Sequence, residues 1–376
     1  MRGALPDYPW DAMAPAIAQA AKHPAGAIDL SIGSPVDPTP EPIRRALRDA
    51  TDAPAYPATT GTRELRQAIV AWYARRRGVE LTGEAVLPTV GSKELVALLP
   101  FLLGLGAGDT VVHPRIAYPS YAMGAALVGA TALAADDPAQ WPETTRLIWL
   151  NSPGNPDGRV SDAAQLRAAV ARARELGALI VGDECYAELG WAGEWATRPT
   201  PSILDPAVVG ERDGRPDHSG VLSVYSLSKQ SNLAGYRAAF LAGDPERVAE
   251  LLTVRKHAGL MLPGPVQAAM TVALGDDAHV AEQRERYRAR RAVLLPALQA
   301  AGFRVDGSEA GLYLWVTRGE SAWASVEALA RIGILAGPGT FYGEHSPEHI
   351  RLSLTASDEN IRAAAERIIA EFAPQK

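Results

Sequence analysis

The stretch "YSLSKQSNLAGYR" (residues 225–237) contains Lys229, one of only five lysines in the chain. Lys and Arg together number 37, so arginine supplies most of the positive charge. A lysine set among small and hydroxyl residues, eight positions before Arg237, is either an ordinary surface charge or an amine held for chemistry. The stretch alone does not separate these interpretations, so the rest of the sequence has to decide between them.

The composition is that of a soluble globular protein. With 376 residues, of which 47% are hydrophobic and 21% charged, the chain is long enough for about two domains. A net charge of −6 argues against a nucleic-acid partner, which would require a basic surface. No apolar run approaches the roughly 18 residues of a membrane span, and the start "MRGALPDYPWDAMAPA" lacks the apolar core of a signal peptide. We therefore expect a cytoplasmic protein without a membrane partner.

Helical and strand-like segments alternate over much of the chain. Amphipathic helices are predicted for "GTRELRQAIVAWYARRRG" (61–78), "GSKELVALLPFLLG" (91–104) and "SDAAQLRAAVARARELG" (161–177), the last with Ser161 and Gly177 as caps. Short apolar runs flanked by turn residues predict buried strands at 109–114, 146–153, 178–184, 221–226 and 238–244. Because helices separate these strands, the sequence predicts an α/β fold with a helix-covered sheet.

The pattern changes after the Pro/Gly loop "MLPGPVQ" (261–267). An Arg-rich helix at 281–302, a strand-like stretch at 303–317 and a closing helix near 357–372 indicate a second, smaller α+β unit. We therefore predict three parts, which are an N-terminal arm contributing to the small domain (1–40), a large domain (41–270) and a small C-terminal domain (271–376).

Polar residues of unusual type follow four of the predicted strands. In chain order they are Tyr118 in "AYPSY", Asn155 in "NSPGNPDG", Asp183 and Tyr186 in "DECY", and Ser226, Ser228 and Lys229 in "SLSK". In an open α/β sheet, ligands bind outside the carboxyl ends of the strands, so these side chains are expected to converge on one crevice.

Each motif has a plainer explanation when it is taken alone. "NPDG" is a turn signal, Asp183 could cap a helix, and "YPSY" could be aromatic packing. "GSK" (91–93) opens a helix whose free N–H groups suit either a cap or a phosphate. Together, the motifs suit one planar ligand that has a phosphate, a ring nitrogen in need of a carboxylate, and a carbonyl in need of an amine.

With these motifs in this order, the chain resembles the fold-type I, class I/II aminotransferases that depend on pyridoxal 5'-phosphate (PLP). The resemblance runs from about Gly33 to Thr355, nearly the whole chain. It implies a large domain with a mostly parallel seven-stranded sheet between helices, plus a smaller α+β domain. It also implies PLP as the cofactor, and amino acids and 2-oxo acids as the substrates.

The resemblance implies a role for each polar residue around the cofactor ring. Lys229 would form the Schiff base with PLP and later carry a proton as the free amine. Asp183 would keep the ring nitrogen protonated, so that the ring can accept electrons. Asn155 and Tyr186 would donate hydrogen bonds to the phenolic oxygen of the ring, and Tyr118 would stack on the ring face.

The resemblance also implies a phosphate site. Ser226 and Arg237 would hold the phosphate, while Ser92 and the backbone N–H of Lys93 would cradle it at a helix N-terminus. Tyr56, in "YPATTGTRELRQAI", would reach the phosphate across a subunit interface. The protein is therefore expected to be a homodimer with shared active sites.

Two further matches concern the substrate. Arg351 in "IRLSLT" would grip the α-carboxylate, for which a planar guanidinium is well suited, and Asn155 would lie beside it. Gly33 in "LSIGSP" would bring its backbone close to the substrate. No motif assigns a residue to a distal carboxylate, for which the candidates are Arg115, Arg255 and Lys256.

Within the family, the chain looks closest to actinobacterial N-succinyldiaminopimelate aminotransferases of lysine biosynthesis. The stretches that carry this similarity are "SLSKQSNLAGYRAAF", "SEAGLYLW" (308–315), "GPGTFYG" (337–343) and "IRLSLTASDENI" (350–361). The reaction would exchange the amino group of N-succinyl-LL-2,6-diaminopimelate with 2-oxoglutarate. An aspartate- or alanine-type aminotransferase of broader scope is the main alternative, followed by a PLP-dependent β-lyase.

Other classes of protein and site have less support. Transcription regulators with this fold carry a DNA-binding segment, but only some 30 residues precede the aminotransferase pattern. A nicotinamide dehydrogenase would need a G-x-G-x-x-G motif after an early strand. His345 and His349 have i,i+4 spacing, but Pro347 between them disfavours a metal site. Cys185 is the only cysteine, which excludes an intrachain disulfide, and we interpret it as a small buried residue.

Overall fold

The structure, a computed structural model, describes residues 8–374. Residues 1–7 of the predicted N-terminal arm and residues 375–376 of the predicted small domain lie outside the described residues. The helices are α1 (Ala14–Ala20), α2 (Glu41–Asp49), α3 (Arg63–Trp72), α4 (Ser92–Leu102), α5 (Ser120–Val128), α6 (Ala163–Glu175), α7 (Pro206–Val209), α8 (Leu227–Gln230), α9 (Pro245–Ala258), α10 (Gly264–Gly275), α11 (Asp277–Ala300), α12 (Ala322–Arg331) and α13 (Asp358–Phe372). The strands are β1 (Ile28–Asp29), β2 (Val86–Val90), β3 (Thr110–His113), β4 (Thr131–Ala134), β5 (Thr145–Asn151), β6 (Leu179–Asp183), β7 (Glu211–Arg212), β8 (Arg215–Pro216), β9 (Val221–Ser226), β10 (Ala238–Gly243), β11 (Arg304–Val305), β12 (Tyr313–Thr317), β13 (Ile334–Leu335), β14 (Gly337–Pro338) and β15 (His349–Ser353).

The main sheet has seven strands in the order β2-β10-β9-β6-β5-β3-β4. Strand β10 pairs antiparallel with both of its neighbours, whereas the remaining pairs are parallel. The apolar runs of the sequence form β3, β5, β6, β9 and β10. The predicted α/β fold with a mostly parallel seven-stranded sheet is therefore confirmed.

Helices cover both faces of the main sheet. Ile148 and Ile180 point to one face, where α3, α6 and α10 pack. Trp149 and Val181, the next residues along the same strands, point to the other face, where α4, α5 and α9 pack. Because both faces are buried, these strands are continuous apolar runs and do not alternate with polar residues.

A second hydrophobic core surrounds a four-stranded antiparallel sheet, β11-β12-β15-β14, together with α1, α11, α12 and α13. The N-terminal arm joins this core, because β1 pairs with β13 and Ile28 lies opposite Ile334. Helix α10 belongs to the core of the main sheet, and the change of core falls between Leu274 and Tyr287. The domain boundary drawn from the sequence after residue 270 stays a prediction.

Two elements differ locally from the sequence-based expectation. The helix within 161–177 has Asp162 as its N-cap and not Ser161, because the Asp162 carboxylate accepts two backbone N–H groups of the first turn. The side chain of Gln165 completes a capping box by accepting the Asp162 N–H at 3.0 Å. The stretch 303–317 forms two short strands, β11 and β12, and not one continuous strand.

Within residues 8–374, none of the helices is both long and apolar enough to cross a membrane. In the same part of the chain, no three His, Cys, Asp or Glu side chains are grouped so that they could hold a metal ion. His345 contacts the Arg115 guanidinium at 3.1 Å, whereas His349 contacts the Asp306 carboxylate at 2.8 Å. The two histidines at i,i+4 spacing therefore contact different side chains.

Phe240 on β10 tests how far stability depends on the packing between the main sheet and α3. The side chain is fully buried, with ring centres of Trp72, Tyr73 and Tyr225 at 5.8, 6.0 and 5.7 Å. We expect Phe240→Ala to lower the free energy of unfolding by about 3–5 kcal/mol, since it removes these contacts and leaves a cavity. Urea unfolding followed by tryptophan fluorescence measures the change. The same substitution at Phe101, which is 60% exposed, is the control and should shift stability by less than about 1 kcal/mol.

Candidate active site

A large cavity lies at the carboxyl ends of the main-sheet strands. It has a volume of about 880 Å³. Strands β5 and β6 end side by side, since Asn151 pairs with Asp183, and β9 runs two residues beyond Val224, the partner of Asp183. Eleven of the twelve predicted site residues line this cavity: Gly33, Ser92, Lys93, Tyr118, Asn155, Asp183, Tyr186, Ser226, Lys229, Arg237 and Arg351. Tyr56 does not line it, and its side chain is 94% exposed.

Lys229 stands in the short helix α8, directly after β9. Its Nζ points into the cavity and donates a hydrogen bond to the carbonyl oxygen of Gly33. Desolvation of the amine lowers the pKa of Lys229, and the charges of Arg351 and Arg237 act in the same direction. A lower pKa increases the fraction of neutral amine, which is the form that attacks a carbonyl.

Asp183 is the last residue of β6, and its side chain is buried at the floor of the cavity. One carboxylate oxygen accepts the Tyr121 hydroxyl at 2.8 Å, and the other accepts the Cys185 backbone N–H at 3.2 Å. Burial raises the pKa of Asp183, although the hydrogen bonds from Cys185 and Tyr121 act in the opposite direction. Burial also raises the pKa of the Cys185 thiol well above its usual range, so this thiol is a poor nucleophile.

One end of the cavity is built to receive an anion. Helix α4 begins after Gly91 without a side-chain cap, so the backbone N–H groups of its first turn are not occupied by a capping side chain. A Cβ at Gly91, which has φ of 76°, would collide with the guanidinium of Arg237. Arg237 therefore lies against the start of α4, and Ser226 lines the cavity beside it. A guanidinium and a helix N-terminus together form a suitable phosphate site.

The other end of the cavity holds Arg351, whose side chain is 3% exposed. Its guanidinium donates to Asn155 Oδ1 at 2.8 Å and to the Ser31 carbonyl at 2.5 Å. The rings of Tyr313 and Tyr342 lie 3.9 and 4.9 Å from its central carbon. Its Nε is buried and has no hydrogen-bond partner among the described residues. A carboxylate ligand could pair with this permanently charged group.

Tyr313 was not predicted as a site residue, yet its side chain connects several of them. Its hydroxyl lies 3.3 Å from the hydroxyl of Tyr186, and burial raises the pKa of Tyr186 so that this group stays protonated. A Cβ at Gly33 would collide with the Tyr313 ring, which explains why glycine stands there. Tyr313 therefore packs against the same backbone that accepts the hydrogen bond from Lys229.

Tyr121 is the second residue that sequence reasoning missed. It follows Tyr118 by three positions in "YPSY" and stacks on Trp149 with ring centres 5.2 Å apart. Both Tyr118 and Tyr121 line the cavity, but only Tyr121 donates a hydrogen bond to Asp183. Tyr118 lies before the start of α5, whereas Tyr121 is the second residue of that helix, and no local sequence pattern distinguishes Tyr121 from a residue of the hydrophobic core.

None of the candidates for a distal carboxylate lines the cavity. Arg115 and Lys256 are exposed outside it, and the Arg255 side chain is completely buried against Glu94. Besides Lys229, Arg237 and Arg351, the described lining contains the side chain of Lys93, which was predicted only for its backbone N–H. Its ammonium faces the rings of Tyr8 and Tyr118 at 5.5 and 6.0 Å from the ring centres.

The residues present fit PLP. The cavity combines an enclosed amine with a depressed pKa, a buried carboxylate and an anion site at a helix N-terminus. The space beside Gly91 and Arg237 would be filled by any larger side chain, so the cradle is preserved by glycine. Lys229 would bind the carbonyl carbon of the cofactor, Asp183 its ring nitrogen and the start of α4 its phosphate.

Comparison with known proteins establishes the family. The profile of the family "Aminotransferase class I and II" matches residues 25–368. The chain therefore belongs to the class I and II aminotransferases, which are PLP-dependent enzymes of fold type I.

Individual relatives differ in the substrates that their names state. The chain is 53% identical to the 4-dedimethylamino-4-oxo-anhydrotetracycline transaminase OxyQ of Streptomyces rimosus, over 97% of this chain and 99% of the relative. It is 33% identical to the LL-diaminopimelate aminotransferase of Aquifex aeolicus, over 91% and 90% of the two chains. The structure of a probable N-succinyldiaminopimelate aminotransferase of Thermus thermophilus superposes with a TM-score of 0.84 at 27% identity, covering 97% and 100% of the two chains.

The buried Asp183 gives a prediction about stability. A carboxyl group whose pKa is raised by folding binds its proton more tightly in the folded state, so stability increases as pH falls through that pKa. Above that pKa the folded protein holds a buried ionised carboxylate, which Asp183→Asn replaces with a neutral group. We expect the cofactor-free variant to melt at a higher temperature than wild type at about pH 8, with the difference shrinking toward about pH 5.

Thermal unfolding of cofactor-free protein across this pH range measures the effect. Asp52→Asn, at an exposed position, is the matched control and should change the melting temperature little at any pH. A variant that is less stable than wild type at every pH would show that the hydrogen bonds of Asp183 outweigh the burial of its charge.

Proposed function

We propose that the protein is a cytoplasmic N-succinyl-LL-2,6-diaminopimelate:2-oxoglutarate aminotransferase of lysine biosynthesis. The observation that carries the substrate assignment is the charge of the cavity lining. Lys93 adds a cation to the lining, next to the rings of Tyr8 and Tyr118, and Asp183 is the only carboxylate in the lining formed by residues 8–374.

Each end of the substrate has a suitable partner in this lining. Arg351 would bind the α-carboxylate at the reacting end, where its Nε lacks a partner. The distal end of N-succinyl-LL-diaminopimelate carries two carboxylates and no ammonium group, so it is complementary to Lys93. LL-diaminopimelate carries a distal ammonium group, for which the described lining offers no free carboxylate.

The chain's own side chains would divide the work of proton transfer. Bound PLP supplies an electron-accepting ring. Asp183 would hold a proton on the ring nitrogen, while Tyr186 and Asn155 would donate hydrogen bonds to the ring oxygen. The neutral Lys229 Nζ would take the proton from the substrate Cα and deliver it to the cofactor carbon that is bonded to the substrate nitrogen. Tyr118 would fix the plane of the ring.

A half-reaction without a keto acid tests the substrate assignment. We expect N-succinyl-LL-diaminopimelate to convert the bound cofactor to its amino form at least about tenfold faster than LL-diaminopimelate, because only the succinylated compound presents two anionic groups to Lys93. Stopped-flow absorbance of the cofactor measures both rates. Lys93→Met should raise the half-saturating concentration of the succinylated donor about tenfold and leave that of alanine, which has no distal carboxylate, unchanged.

Lys229→Ala is the negative control, since it should show neither the visible absorbance of the bound cofactor nor turnover. Equal or faster conversion by LL-diaminopimelate would refute the succinyl specificity and leave the aminotransferase assignment intact. A Lys93→Met protein that keeps the wild-type preference for N-succinyl-LL-diaminopimelate would show that Lys93 does not bind the distal carboxylates.

A second candidate substrate is a large ring ketone. It is favoured by the 53% identity to a transaminase named for 4-dedimethylamino-4-oxo-anhydrotetracycline and by the apolar residues of the cavity lining, which include Trp10, Ile32 and Phe341. The amino form of the enzyme, mixed with that ketone, distinguishes the two. Return of the original absorbance with the ketone, combined with no reaction of N-succinyl-LL-diaminopimelate, would favour the ketone over the lysine-pathway substrate.

We further propose that the protein is a homodimer in which Tyr56 contacts the cofactor phosphate of the neighbouring subunit. Its side chain is 94% exposed and lies outside the cavity of its own chain, so a role in this site requires another subunit. Sedimentation should therefore give a dimer. Coexpression of Lys229→Ala and Tyr56→Ala chains should restore activity, because each hybrid dimer then contains one site with both residues intact.

The coexpression experiment separates a shared site from an independent one. If Tyr56 acts within its own chain, every site in the hybrid carries one of the two substitutions and no activity is restored. Either a fully active monomer or hybrids with no recovered activity would contradict the proposed shared site.

A further inference from the structure

Arg255, a candidate for substrate binding in the sequence, has a different environment in the structure. It stands in the last turn of α9, and its side chain is completely buried. Its two terminal nitrogens donate to the two carboxylate oxygens of Glu94, at 2.9 and 3.2 Å, and one of them also lies 3.4 Å from the Leu260 carbonyl. Arg255 therefore forms a bidentate ion pair with Glu94 and does not reach the cavity.

Glu94 lies at the third position of α4, in the turn that opens the anion site. One of its carboxylate oxygens also accepts the backbone N–H of Val90 at 3.3 Å, and Val90 is the last residue of β2. The Glu94 side chain therefore connects the end of β2 to the first turn of α4. Between them stands Gly91, against which the Arg237 guanidinium packs.

The charge of Glu94 requires compensation at this place. A carboxylate in the first turn of a helix is favourable by itself, because it interacts with the positive end of the helix dipole. Beside a phosphate bound at the same helix end, however, an uncompensated carboxylate would repel the ligand. Its ion pair with the buried Arg255 removes this repulsion and holds the carboxylate in one orientation.

We propose that Arg255 is a positioning residue for the phosphate of the cofactor, acting through Glu94 on the first turn of α4. The proposal rests on the assignment of the phosphate to that helix end under the proposed function. It does not require Arg255 to touch the cofactor. Arg255 instead neutralises and orients the carboxylate that fixes the junction between β2 and α4.

Comparison of PLP with pyridoxal, which lacks the phosphate, isolates this effect. Both compounds present the same carbonyl to Lys229. The dissociation constant of pyridoxal divided by that of PLP therefore measures the contribution of the phosphate to binding. We expect Arg255→Met to reduce this ratio about tenfold or more relative to wild type, because Glu94 is left with an unpaired charge next to the phosphate. The double variant Arg255→Met/Glu94→Gln should recover most of the loss, which a merely structural role of Arg255 would not explain.

Arg290→Met is the matched control. Arg290 is also buried and also paired with a carboxylate through two nitrogens, that of Asp37, but it lies in α11 away from the cavity. This control should weaken both ligands alike or neither, and leave the ratio unchanged. An Arg255→Met protein with the same ratio as wild type and Arg290→Met would overturn the proposal.

Glu94→Gln provides a second test should Arg255→Met not fold. It keeps the positive charge of Arg255 and removes the negative charge, so the ratio should rise about threefold or more. A ratio that is unchanged or lower would overturn the proposal. If wild type itself does not distinguish PLP from pyridoxal, the assignment of the phosphate to α4 fails, and this outcome is separate from a failure of the role of Arg255.

Discussion

The register of three adjacent parallel strands determines where chemistry can occur in this protein. Asn151, Asp183 and Val224 lie side by side in β5, β6 and β9. Asn151 and Asp183 are the last residues of their strands, and β9 ends two residues after Val224, at Ser226. The segments that follow, which include the short helix α8, carry Asn155, Tyr186 and Lys229 into one cavity. A shift of one residue in any of these strands would turn its last side chain to the other face of the sheet and remove it from the site.

The cavity lining combines two arginines that suit anionic ligands with the amine of Lys229. The start of α4 and Arg237 form one end, and Arg351 forms the other. Desolvation lowers the pKa of Lys229, and the charges of Arg351 and Arg237 act in the same direction, against an opposing effect of Tyr313. The two arginines that suit the anionic groups of cofactor and substrate thus also favour the neutral form of the Lys229 amine. One arrangement of charges serves both binding and reactivity.

Much of this site was predictable because its residues follow strands in recognisable short motifs. "SLSK", "NPDG" and "DECY" each combine a strand end with residue types that suit one ligand. Tyr313 and Tyr121 were not predicted as site residues, because the sequence does not distinguish an aromatic site residue within a strand or a helix from a core residue. Only the fold shows that Tyr313 meets Tyr186, which is 127 positions earlier.

The ion pair of Arg255 could not be predicted for a different reason. A guanidinium near a predicted site suggests a ligand contact. The ion pair of Arg255 with Glu94, however, joins residues 161 positions apart, and no local sequence pattern indicates it. The N-cap of α6 shows the same limit on a small scale, since Ser161 and Asp162 are both good caps. The choice between them depends on which side chain meets the free N–H groups, and hence on backbone angles that the sequence does not specify.

The hydrogen bonds of Arg351 link three parts of the chain at one point. The guanidinium belongs to β15, while its partners are the Ser31 carbonyl in the N-terminal segment and Asn155 in the loop after β5. A carboxylate that pairs with Arg351 Nε, which has no hydrogen-bond partner among the described residues, would share the guanidinium with these two partners. Ligand occupancy and the relative arrangement of the three segments are therefore thermodynamically coupled, so that an arrangement favouring the ligand is in turn favoured by the ligand to the same extent.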